Sequence, residues 1–367
     1  VMIPWGSIPK ATISVVIKTG NIHEQENEVW LSDLVSDLLQ EGSTSKTGNE
    51  IADEIAGMGG ELNIGVGEHT TSAGSSVLYE FTPDAIKLIA DVIMNPAMPA
   101  EELDRLIKDR QRQVSVSLTR PQPQARQEFM AKLYPDHPYG RMFPTEEMLG
   151  SYTLDQIKSF YEDNYGAKRT TIYVAGKFDN DAVQKAVEST FGAWRDGPES
   201  SYPVAEVSSS DQVSILDRPD APQSTLMMGL PVLNQNNPDW IALSVTNALL
   251  GGSFGSRITR NIREDKGYTY SPSSSLDANY QSALWYEVAD VTTKDTGASL
   301  REITKEIYRL QDEAPSNEEL EGIQNYQAGI FVLQNSTPQG IIGQMVNMDV
   351  HDLEDSYLTN YVKNIYA

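Results

Sequence analysis

Two groups of side chains in this chain of 367 residues have types and spacings that could do chemistry. The first lies in WLSDLVSDLLQEGS, residues 30 to 43, where Leu31, Leu34, Val35 and Leu38 recur at helical spacing and Asp33, Ser36 and Asp37 fall on the other side. Carboxylates at i and i+4 share a helix face and could hold a cation. Without imidazole or a third ligand they make a poor zinc site, better suited to hydrated Mg²⁺ or Ca²⁺. Otherwise they are a wet surface, where like charges at this spacing repel by a few tenths of a kcal/mol. The second group lies in GGSFGSRITRNIREDKGYTYSPSSS, 251 to 275. Gly251, Gly252 and Gly255 allow a tight turn, but no Lys follows at P-loop spacing, so phosphate binding is not expected. Residues 257 to 266 read as a helix closed by Gly267, and TYS beyond it as a strand start. Arg263 then lies near a helix end, with Tyr270 on the next strand and Tyr268 on the same strand face. Alone, the pair reads as a packed Tyr and a surface Arg.

The remaining donors are sparse. His23, His69, His137 and His351 form no His-x-x-x-His pair. His69 is expected on a strand and His137 at the start of a turn, each structural or exposed rather than a ligand. There are no cysteines, which rules out disulfides and thiolate metal sites. The net charge of -24 argues against nucleic acid or an anionic membrane as partner. It would suit a basic peptide or basic protein surface, or serve solubility alone. No apolar run is long enough for a membrane span, and no targeting peptide is visible in residues 1 to 20, although a leader could already have been removed.

The elements that position these groups are written twice. ATISVVIKTGN (11 to 21) alternates like a strand and precedes the helix WLSDLVSDLL; STLMMGLPVLN (224 to 234) precedes WIALSVTNALL. PAMPAEELDRLIKD (96 to 109) is echoed by DEAPSNEELEGIQN (312 to 325), each with a proline before an acidic first turn. The expected plan is α+β: two homologous domains, 1 to 195 and 224 to 367, each a mostly antiparallel sheet with helices packed on it. The Pro-, Ser- and Asp-rich residues 196 to 223 form a connector leading into a strand. The first half ends with a helix and a strand, TLDQIKSFYEDNYGAKRTTIYVAGKF (153 to 178). The second stops at YLTNYVKNIYA without a counterpart, so the chain is expected to be trimmed or cleaved before its natural end.

The duplicated plan, GGSFGSR, IREDKGYTYS, LYPDHPYGR (133 to 141) and NYGAKRTTIYVAGKF (164 to 178) together resemble the pitrilysin/insulinase metallopeptidases and the mitochondrial processing peptidase subunits. The resemblance implies two domains facing each other across a chamber, with Arg263 and Tyr270 as the second-domain pair that contacts substrate. Both are donors able to hold a peptide carbonyl and the oxyanion formed when water attacks, a donor typically contributing about 3 to 4 kcal/mol to the transition state. It also implies His-x-x-Glu-His on the helix at 30 to 43, two His binding zinc and the Glu activating water. Asp33, Ser36 and Asp37 hold those places here. The family's third ligand, a Glu some 75 to 80 residues beyond the second His, would fall in RQVSVS (112 to 117), which has no carboxylate.

Two functions follow. In one, the chain is the zinc-less subunit of a two-chain endopeptidase. A homologous partner would carry zinc and the general base, while this chain supplies Arg263, Tyr270 and a strand edge for unfolded peptide. In the other it is a structural or peptide-binding scaffold, like core subunits of the respiratory complex, with no use for Arg263. No cofactor is expected in this chain itself. Localisation leans to a bacterial periplasm or cell envelope.

Overall fold

The computed structural model describes residues 1 to 208 and 213 to 367, and its contacts divide into two compact units. Unit 1 comprises Val1–Val116, Arg141–Pro203 and Asn335–Val350; unit 2 comprises Ser117–Gly140, Val204–Gln334 and His351–Ala367. The sequence repeat and the compact units thus divide the chain differently. Each unit takes one helical segment from the opposite half, so boundaries at 195 and 224 mark the duplication but not the packing. The expected connector, 196 to 223, is likewise shared between units, and its residues 209 to 212 lie outside the described residues.

Unit 1 is built on β1 (Met2–Pro4), β2 (Lys10–Ile17), β3 (Asn63–Val66), β4 (Thr71–Leu78) and β5 (Thr170–Gly176), in the order β1-β5-β2-β4-β3. All pairings are antiparallel except β1 with β5. β2 is central, paired on both sides and buried from Ala11 to Ile17, as its β-branched run requires. Helix Pro338–Val350 covers one face. Ile342 packs against Val16, Tyr173 and Ala175, and Asp349 pairs with Lys18 at 2.8 Å.

Unit 2 contains β6 (Gln223–Val232), β7 (Ser273–Asn279) and β8 (Ser282–Thr292), antiparallel in the order β6-β8-β7. β6 pairs only with β8 among the described residues, whereas β2 in unit 1 has a partner on each side. Side chains alternate along β8. Trp285, Ala289 and Val291 enter a core with Leu250, Ile258, Ile262 and Ile303. Tyr286 and Asp290 instead meet helix Pro121–Leu133: Arg126 donates to the Tyr286 hydroxyl at 3.1 Å and pairs with Asp277 at 2.9 Å, and Gln122 reaches Asp290 at 2.7 Å. The architecture is the α+β class read from the sequence, helices on mostly antiparallel sheets. No helix among the described residues is long and apolar enough to cross a membrane.

Candidate functional site

The helix carrying Asp33, Ser36 and Asp37 spans Leu31–Gln40, and its expected apolar face is fully buried through Leu31, Leu34, Val35 and Leu38. Its start is held by a residue that no cap signal in the sequence reveals. Glu24, 5% exposed, accepts from the Trp30 and Ser32 amides at 3.0 and 2.9 Å and from the Ser32 hydroxyl. It therefore satisfies donors the first helical turn leaves open. Burial pushes the Glu24 carboxyl up to about 7, against the pull of these same donors.

Asp33 and Asp37 face a guanidinium rather than open solvent. Arg110, on helix Ala100–Leu118, lies between them. Its Nε and Nη2 each donate to Asp37 at 2.7 Å, and its Nη1 is 3.0 Å from Asp33. The remaining guanidinium contacts go to Gln113 Oε1 at 3.2 Å and the Asp33 carbonyl at 3.5 Å, with the Trp30 ring 5.8 Å from Cζ. The three charged side chains are only 16 to 18% exposed. Asn21 donates to the other Asp33 oxygen at 2.8 Å. Burial raises the Asp33 carboxyl despite Arg110 and Asn21. Burial also pulls on Arg110, but the Asp37 hydrogen bonds and both carboxylates outweigh it and hold its pKa above the ordinary value.

This arrangement tests the fit of zinc directly. The expected ligand positions offer two carboxylates already saturated by a guanidinium, and Ser36, buried at 2% exposure, cannot act as the general base in place of Glu. Among the described residues no group of three or more His, Cys, Asp or Glu could hold a metal. The donor set does not fit zinc, and no step through a metal follows from this chain. The sequence reading missed Arg110. Its signal was a basic residue just before the window where the third ligand was expected.

The histidines are committed elsewhere. His23 and His69 both pack against Tyr202, with ring centroids 5.6 Å apart in each case, and His23 Nδ1 accepts from the Gly20 amide. Burial first, and Arg169 second, lower the His23 pKa to about 4. His69 is in the turn after β3 rather than on a strand, because the strand ends at Val66. His137 precedes the short helical turn Pro138–Gly140, as expected.

In unit 2 the segment after β6 and helix Trp240–Asn247 winds through two π-helical turns, Ala248–Gly252 and Thr259–Asp265. Gly251 is required there: a Cβ would lie 2.6 Å from Ser274 Oγ and 2.8 Å from Glu287 Oε2. The second turn ends as expected at Gly267, φ +66°, with Gly267 N–H bonding the Arg263 carbonyl at 3.1 Å and Tyr268 N–H bonding the Ile262 carbonyl at 2.8 Å. The following strand differs from the expectation. Only Thr269 bridges to Val291, and β7 begins at Ser273, because Pro272 has no N–H to give the ladder. Tyr268 and Tyr270 consequently part company: Tyr268 packs on the core, while Tyr270 is 78% exposed.

Tyr270 and Arg263 are brought together. The Arg263 guanidinium lies 5.0 Å from the Tyr270 ring centroid and 4.4 Å from that of Phe254, a residue the sequence reading passed over inside GGSFGSR. Phe254 is 70% exposed. Among the described residues neither the guanidinium nor the Tyr270 hydroxyl has a hydrogen-bond or ion-pair partner. Both therefore keep donor capacity that no group among the described residues uses.

These features can be set beside known proteins. Residues 6–144 match the family model described as insulinase (peptidase family M16), and residues 151–326 match that of the peptidase M16 inactive domain. An uncharacterized zinc protease of Rickettsia felis is 24% identical over 330 residues, covering 89% of this chain and 79% of that protein. One of Mycobacterium leprae is 27% identical over 275 residues, covering 74% of this chain and 62% of that protein. Among solved structures, a peptidase M16 inactive domain from Pseudomonas fluorescens is similar with TM-score 0.88 and 22% identity, covering 99% of this chain and 88% of that one. A protease from Helicobacter pylori is similar with TM-score 0.91 and 16% identity, covering 100% and 89%. The repeat, the paired α+β sheets and these matches agree: the chain belongs to the M16 (insulinase) peptidase family.

Proposed function

We propose that this chain is the zinc-less subunit of a two-chain M16 endopeptidase, holding unfolded peptide for a homologous partner that carries His-x-x-Glu-His. The observation that carries this reading is the contrast between two arginines. Arg110 closes the degenerate metal position, whereas Arg263 keeps its donors unused beside Tyr270. The partner's zinc would supply the electrophile and the activated water. Arg263 N–H groups and the Tyr270 hydroxyl then donate to the scissile carbonyl oxygen and bind it more strongly as charge builds on it. A scaffold would have no use for an arginine left unpaired in a chain with 52 acidic residues.

The test is co-purification from the native source followed by reconstitution. The isolated chain should cleave nothing and bind no stoichiometric zinc. With its partner, peptidase activity should appear, and Arg263→Ala should lower turnover ~100-fold at unchanged zinc content. Hydrolysis by the isolated chain, or full activity of the reconstituted Arg263→Ala enzyme, would overturn the reading.

A further inference from the structure

The Arg263 guanidinium has aromatic rings at both 4.4 and 5.0 Å from Cζ, an arrangement fuller than the hold on a single carbonyl oxygen requires. We propose that Phe254, Arg263 and Tyr270 form a carboxylate receptor, through which the site selects peptides that present a free carboxylate. This rests on the peptide-binding role proposed above and names the substrate chemistry of the same site.

Rings stacked on a guanidinium replace water at its faces and leave its in-plane N–H fork open. That fork matches two carboxylate oxygens, whereas one carbonyl oxygen uses only part of it. Phe254 is positioned for this task and for no other evident one. It is 70% exposed within the Gly-rich GGSFGSR turn. Among the described residues no acid pairs with the fork, although Glu264 and Asp265 follow Arg263 directly and are exposed. Arg260, three residues before Arg263, makes no ion pair among the described residues, while Lys266, three residues after it, is within electrostatic reach of Glu302. Phe254 acts through Arg263 as a positioning residue; Arg263 and Tyr270 touch the ligand.

The test uses a tryptic digest of casein, passed over the immobilised chain before and after methyl esterification of its carboxyl groups. Charge-assisted pairing predicts about tenfold less retention after esterification. Attraction by the overall negative charge predicts the opposite, since esterified peptides are more cationic. Phe254→Ser and Arg263→Lys should each bring the difference below about twofold with the melting temperature unchanged, while Phe254→Tyr should preserve it. A retained peptide, resynthesised as its C-terminal amide and separately with Asn and Gln for its acids, shows which carboxylate is read. Equal or greater retention of esterified peptide, or an unaltered preference in Phe254→Ser, overturns the carboxylate receptor and leaves peptide binding standing. No retention of either digest overturns both.

Discussion

Arg110 and Arg263 are the same side chain put to opposite ends. Arg110 sits 16% exposed, donating to Asp37 through Nε and Nη2 and to Gln113 through Nη1, with the Asp33 carboxylate ion-paired at 3.0 Å. Arg263 has two aromatic rings and, among the described residues, no acceptor. In the first site, charges of both signs were taken out of water together, and the desolvation cost is offset only while the set is complete. In the second, the charge was kept at the surface and only its faces were covered. One device ties two helices together; the other leaves N–H donors unused, as the proposed binding role requires.

The largest expected effect breaks the first half of this comparison. Arg110→Ala should destabilise unit 1 by about 3 to 5 kcal/mol, because two buried carboxylates lose their counter-charge. Arg263→Ala should change stability by less than about 0.5 kcal/mol, as surface changes usually do. Urea midpoints of the two variants check both figures, and equal losses would erase the distinction. Replacing Arg110, Asp33 and Asp37 together by Met, Leu and Leu should cost less than Arg110→Ala alone, since no charge is then left unpaired. Chemical denaturation of the triple variant decides it.

Next in size is Glu287, which sharpens the comparison by showing a buried carboxyl with no hydrogen-bond partner among the described residues. It is 1% exposed on the core face of β8, and neither oxygen makes a hydrogen bond. Burial pushes its carboxyl up to about 8, while the nearby Ser273 amide favours the anion without being aligned for a bond. A carboxyl raised in the fold keeps its proton where the unfolded chain has lost it. Its contribution to stability is therefore complete below about pH 4.5 and is lost as pH rises toward about 8. Glu287→Gln should remove that decline and leave the variant about 2 kcal/mol more stable than wild type at pH 8.5. Melting temperatures from pH 5 to 9 measure it; parallel profiles would contradict the assignment.

The smallest structural effect is expected at Tyr270. Tyr270→Phe keeps the ring against Arg263 and removes only the exposed hydroxyl, so stability should hold within about 0.5 kcal/mol while turnover of the reconstituted enzyme falls ~10-fold. A fall in melting temperature instead would make Tyr270 a packing residue.

Much of the fold was legible because it rests on local pattern. The β-branched run of β2, the Leu and Val stripe of Leu31–Gln40 and the glycine closing the helix before Tyr268 each write their conformation into a few adjacent residues. The repeat then gives the architecture twice. The strand after Gly267 was read too early because alternation at TYS outweighed the proline two residues on. The exchange of helices between units was not legible, since nothing local in Pro121–Leu133 or Pro338–Val350 states which sheet it covers.

By itself the sequence determined the absence of a His-x-x-Glu-His motif, the acidic balance, the α+β plan and the spacing of Arg263 and Tyr270. Each depends on residue identity or on periods of a few residues. Only the tertiary structure decided that Arg110 pairs with Asp37 and Asp33 from 73 and 77 residues away, and that Phe254 joins Tyr270 beside Arg263. Both depend on where distant or irregular backbone brings side chains together, and charge pairing and ring stacking act through distance in space rather than position along the chain.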